Sequence, residues 1–198
     1  MARHPVLVTL RARDDVPLLR ADDAFAAVLG ALLRGSKGWF RVREFSVQED
    51  HVHLVVEADS RLALIRGVQG LAVRCAKAIN RELGRRGPVW ASRYHARRLA
   101  TPAEVRGSLA YVLLNFCKHL GAPPGIDPCS SGRWFDGWAG IPPPSESSPL
   151  PQPQTWLLKG GWRRAGGPIH LDEGPVRSSP AAHPRRRLRS TAAEYHST

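Results

Sequence analysis

The chain has 198 residues, 42% of them apolar, with 29 Lys and Arg against 17 Asp and Glu, a formal charge of +12 and an isoelectric point near 10.9. That is the size of one domain with an appendage, and such a charge favours polyanionic partners, nucleic acid ahead of an anionic membrane. The start, MARHPVLVTLRARDD, has no apolar run of signal-peptide length, and no stretch approaches the roughly 18 apolar residues of a membrane span. The three cysteines (Cys75, Cys117, Cys129) lack Cys-x-x-Cys spacing and fit reduced thiols better than a disulfide framework or a zinc knuckle. The expectation is a cytoplasmic, nucleoid-associated protein with no membrane partner.

In chain order, PVLVTLRA (5–12) is β-branched and apolar and predicts a strand. Residues 21–33 have helical apolar spacing behind the acidic pair Asp22 and Asp23. WFRVREFSV (39–47) and HVHLVVEA (51–58) alternate as two strands around the turn-like Gln48-Glu49-Asp50. Residues 60–83 predict a long helix capped by Ser60 and ended by Gly84. HARRLA (95–100) predicts a short strand, and residues 101–120 a helix opened by Thr-Pro-x-Glu and stopped at Gly121. The order β-α-β-β-α-β-α predicts an α+β, ferredoxin-like (split βαβ) sandwich with an antiparallel sheet, followed by one further helix.

Composition breaks near residue 121, since 13 of the 17 prolines follow Leu120. Residues 1–121 are expected to form the folded unit. Residues 122–174 read as a proline-rich extension whose segment TWLLKGGWRR can dock back, and 175–198, with HPRRRLRS, as a basic disordered tail.

Wound as a helix, residues 62–83 divide into two faces. Ile65, Val68, Ala72, Cys75, Ala76, Ile79 and Leu83 form the predicted core stripe, and Arg66, Arg74, Lys77, Arg81 and Arg85 lie almost opposite. Between Arg61 and Leu120 there are twelve Lys or Arg and only two acids, Glu82 and Glu104. Cations with so few acid partners predict a phosphate track rather than a salt-bridged surface, and Arg93, Arg97 and Arg98 join it. In 102–120, Tyr111, Asn115 and Lys118 share an arc beside the apolar stripe, with Tyr111 and Asn115 one turn apart.

His51 and His53 are i and i+2 in a strand, so they project from one face while Val52, Leu54 and Val56 point to the other. Two imidazoles alone suit zinc, whereas an added amide or carboxylate oxygen with phosphate oxygens suits magnesium or manganese. Asp50 can supply a carboxylate or serve as a turn residue.

A His-hydrophobic-His strand (HVHLVV), a helical tyrosine about sixty residues on with an amide four positions later (YVLLN), and a basic chain together resemble one family. They look like the HUH single-tyrosine transposases, in particular the REP-associated tyrosine transposases, over about residues 4–120, including HPVLVTL and RRGPVWASRYH. The resemblance implies a ferredoxin-like core, His51 and His53 as ligands of Mg²⁺ or Mn²⁺ with Asn115 the third, and Tyr111 as the nucleophile. It implies nicking and strand transfer of single-stranded or hairpin DNA through a 5′-phosphotyrosine, by a monomer or homodimer. Lys118, one turn round, would lower the Tyr111 pKa by charge proximity. Tyr94 is the rival nucleophile but precedes a strand and lacks the amide at i+4. The alternative is a catalytically inactive, domesticated DNA-binding module on the same fold. An RNA 2′-5′ phosphoesterase is disfavoured because the chain holds one His-x-His.

Overall fold

The computed structural model describes residues 4–120 and 123–173, without the side chains of 117–120. The strands are β1 (Val6–Arg11), β2 (Phe40–Val47), β3 (His51–Ala58) and β4 (His95–Arg98), and the main helices α1 (Asp22–Leu33), α2 (Arg61–Glu82) and α3 (Pro102–Leu120). They form a four-stranded sheet in the order β2-β3-β1-β4, every neighbouring pair antiparallel. This is the split βαβ arrangement that the order of elements predicts.

Local chemistry fixes the ends. Ser60 Oγ accepts from Ala63 N–H at the start of α2, and Gly84 follows that helix at φ +58°, a left-handed conformation that glycine adopts without a Cβ clash. At α3, Thr101 and Glu104 form a reciprocal capping box, Glu104 N–H donating to Thr101 Oγ1 and Thr101 N–H to Glu104 Oε2. Strand β4 stops two residues before the predicted end, because Leu99 turns inward and is fully buried.

The sheet is covered on both faces. Val8, Leu10, Val52, Leu54 and Val56 meet α1 and α2 in the main core. The buried stripe of α2 runs through Gly67, Val68, Leu71, Cys75, Ala78 and Ile79, rotated slightly from the predicted one so that Ile65 and Ala72 sit at its margin. Val55 on the opposite face lies in a second core with Val105, Leu109, Val112 and Leu113 of α3. That core is completed by Phe135, Trp138, Leu157, Leu158, Trp162 and Ile169, so the proline-rich extension supplies much of its apolar mass. Trp39, just before β2, is 42% exposed.

Polar contacts anchor the extension. Arg20 makes a bidentate pair with the fully buried Asp127 (2.9 and 2.7 Å). Buried Glu57 accepts from the backbone N–H groups of Gln154 (2.8 Å) and Thr155 (2.7 Å), the latter capping α4 (Trp156–Lys159). Along the β2 edge, Val47 N–H donates to Cys129 O and Phe45 N–H to Ser131 Oγ, satisfying donors that an open edge would leave bare. The predicted disordered tail, 175–198, lies outside the described residues.

Candidate functional site

On the α3 face, antiparallel register places side chains in a row. His53 is opposite Ser46 of β2 and Thr9 of β1, and Thr9 is in turn opposite His95 of β4. His51, one pleat along, is opposite Arg11. Strand alternation therefore puts both histidines beneath α3, away from the main core.

His53 is 4% exposed and engaged at both ring nitrogens. Thr9 Oγ1 is 3.0 Å from Nδ1, and the Tyr111 hydroxyl is 3.1 Å from Nε2. The rings of His51 and His53 are 4.5 Å apart between centroids, those of His53 and Tyr111 4.9 Å, both edge to face. Asp50 Oδ1 lies 2.5 Å from His51 Nδ1, and this bond holds the Asp50 carboxyl below its ordinary range. An ionised carboxylate can only accept, so His51 donates to it through Nδ1, and the bond fixes the orientation of the ring. Thr9 can accept from His53 Nδ1–H in the same sense. Asp50 is thus both a turn residue and the partner that orients His51.

Asn115, one turn from Tyr111, is fully buried, and among the described residues neither its Oδ1 nor its Nδ2 meets a partner in full hydrogen-bond geometry, although the amide is close enough to act on the Tyr111 hydroxyl. A buried amide left unmatched is costly, and this one neighbours the Tyr111 phenol. Burial pushes the Tyr111 phenol above its usual pKa, and the neighbouring Asn115 amide pulls it part of the way back. Among the described residues no group of three His, Cys, Asp or Glu gathers as a metal site. A cation here must draw on the amide as well as the imidazoles, and a mixed N,N,O donor set is one that Mg²⁺ or Mn²⁺ accepts. The residues fit the ion that the resemblance implies.

The predicted cations divide between faces. Arg66, Arg74, Lys77 and Arg81 are exposed on α2, which packs on the main core, across the sheet from Tyr111. Arg74, Lys77 and Arg81 line a groove of about 410 Å³ with Arg34, Gly70 and Val73. Arg85 is paired with Asp15 at 3.2 Å. Arg97 is on the site face, donating to Ser108 Oγ of α3 at 3.2 Å, while Arg98, its neighbour in an exposed strand, points the other way, and Arg93 is exposed before β4. The side chain of Lys118 lies outside the described residues. Tyr94 packs against the main core, away from the histidines, so among the described residues Tyr111 is the tyrosine at the site.

Thr9 was invisible to motif reasoning. Its one signal is being the uncharged polar residue among Leu7, Thr9 and Arg11, on the face of β1 opposite Val6, Val8 and Leu10.

Comparison with known proteins gives a family match and a fold likeness. Residues 21–112 match the family model described as IS200-like transposases. The fold is similar to that of a REP-associated tyrosine transposase solved bound to a REP hairpin, with a TM-score of 0.54 at 15% identity, covering 78% of this chain and 95% of that one. No curated protein matches by sequence.

Proposed function

We propose, from the match of residues 21–112 to the IS200-like transposase family model, that the chain nicks and rejoins single-stranded or hairpin DNA through Tyr111. The observation that carries this reading is the meeting of Tyr111, His53, His51 and Asn115 on the α3 face of the sheet. The structural neighbour is bound to a hairpin, which supports hairpin DNA as the ligand class here.

In the reaction the Tyr111 hydroxyl oxygen bonds to phosphorus and loses its proton, and the bond from phosphorus to O3′ breaks as O3′ takes one up. The product is a 5′-phosphotyrosine and a free 3′-hydroxyl, and attack by another 3′-hydroxyl reverses the step without an external energy source. His51, His53 and Asn115 would hold Mg²⁺ or Mn²⁺, which would supply positive charge beside the scissile phosphate. Thr9 and Asp50 keep the two imidazoles oriented for this role. The Tyr111–His53 hydrogen bond occupies both the nucleophile and a ligand nitrogen, so it must open before either is used.

The test is incubation with single-stranded hairpin DNA and Mn²⁺, followed by denaturing electrophoresis. Wild type should give a covalent protein–DNA adduct and Tyr111→Phe none. No adduct from wild type, with binding retained, would identify the protein as the silent DNA-binding module instead.

A further inference from the structure

Strand β2 contains one irregularity. Val42 is opposite Val56 and Glu44 opposite Val55, so Arg43 is the extra residue of a β-bulge. A regular strand would send residues 43 and 44 to opposite faces, whereas the bulge turns both side chains toward the α3 face. There they line a cavity of about 250 Å³ between β2, α3 and the proline-rich extension, with Trp134, Asp136, Glu146 and Lys159 among its walls.

The groups in it are incompletely matched. Arg43 Nε and Nη1 are buried without an acceptor among the described residues. A desolvated guanidinium lacking acceptors is costly unless a ligand supplies them. Glu44 uses Oε2 to accept from Ser131 Oγ at 2.6 Å, leaving Oε1 uncommitted. The three carboxyls (Glu44, Asp136, Glu146) outnumber the cations Arg43 and Lys159, which opposes a phosphate. The space suits one planar heterocycle rather than a larger ligand, and Trp134, Pro143 and Pro144 offer it apolar walls.

We infer that this cavity is a base-reading pocket that takes an unstacked guanine of the bound single strand. Guanine alone among the bases presents two acceptors, O6 and N7, on one edge and two donor groups, N1–H and the N2 amine, beside them. Arg43 matches the first pair and Glu44 the second. Glu44 is opposite Val55, the next residue after His53 on the same face of β3 and about 7 Å along the strand. A strand reacting at Tyr111 can therefore reach the pocket within a few nucleotides. The inference rests on the proposed function only for DNA being the ligand.

The test is fluorescence anisotropy with the full chain in EDTA, using thymine 11-mers that carry one central dG, dA or dC, or none. The dG oligonucleotide should bind at least about five-fold more tightly than the others. Inosine, lacking the N2 amine, and 7-deazaguanine, lacking N7, should each lose part of that preference. Arg43→Ala should abolish the 7-deazaguanine penalty and Glu44→Gln the inosine penalty. Equal binding of all four oligonucleotides, a preference for another base, or a dG preference that persists in Arg43→Ala overturns the pocket. The nucleotide analogues keep the test decisive even if a variant folds poorly. Binding in EDTA reads the pocket and adduct formation in Mn²⁺ reads Tyr111, so failure of one is distinct from failure of the other.

Discussion

In the proposed site the quality of His53 as a ligand depends on Thr9, which is opposite it on the neighbouring strand. With Thr9 on Nδ1 the imidazole presents Nε2 toward Tyr111. Thr9→Val keeps the shape and removes that partner, so Mn²⁺ affinity by titration calorimetry should fall about ten-fold or more, while stability falls by only about 1 kcal/mol. Unchanged Mn²⁺ affinity would show that Thr9 merely fills space. A second residue-scale effect concerns Glu44, whose pKa burial raises to about 7, opposed by the Ser131 hydrogen bond and by Arg43 and reinforced by Asp136. Glu146 and Lys159 also line its cavity. The folded state holds this proton more tightly than the unfolded chain, so stability is greatest below the unfolded value near 4.5 and declines as pH rises toward 7. The slope within that window is at most about 1.4 kcal/mol per pH unit. Urea midpoints at pH 5 and pH 7.5 should differ more in wild type than in Glu44→Gln.

At the scale of elements, α2 approaches β2 through Gly67, where an added Cβ would come within 2.2 Å of the buried Phe40 ring. Gly67→Ala should therefore lower stability by about 1–3 kcal/mol despite alanine's better helix propensity. Gly70, one turn on, faces nothing within 4 Å, and Gly70→Ala should raise stability by up to about 1 kcal/mol. Thermal denaturation of the pair separates close packing from propensity within a single helix. Most elements were legible because alternation and capping act locally: Ser60, Thr101-x-x-Glu104 and the apolar runs fix their own ends. The histidine pair, Tyr111 and Asn115 were legible as a motif, but Thr9 joins them only through strand register, which no local pattern encodes. The second core was hidden because its apolar residues are scattered among prolines and gather only on α3. The bulge did leave a trace. The inward residues Phe40, Val42, Phe45 and Val47 slip by one position between 42 and 45, a phase shift that regular alternation cannot produce.

At the scale of the molecule, the sheet separates two functions by its own thickness. Tyr111 and the histidines lie under α3, whereas Arg34, Arg74, Lys77 and Arg81 ring a groove on the α1–α2 side. A single strand bound at Tyr111 cannot lie in that groove as well without passing round an edge of the sheet. The exposed β4, with Arg97 facing the site and Arg98 facing away, is the edge that carries cations on both sides. The α2 groove therefore suits another part of the same DNA, such as the stem of a hairpin, held by phosphate contacts that carry no sequence information. Replacing Arg74, Lys77 and Arg81 together by alanine removes up to three such contacts. Affinity for hairpin DNA should then fall, and the slope of log K against log salt should shrink by about 2–3. The loss should appear in affinity rather than in adduct yield at saturating DNA, because Tyr111 is on the other face. A variant with the wild-type salt slope would place the stem elsewhere and leave the α2 cations as a solvated surface.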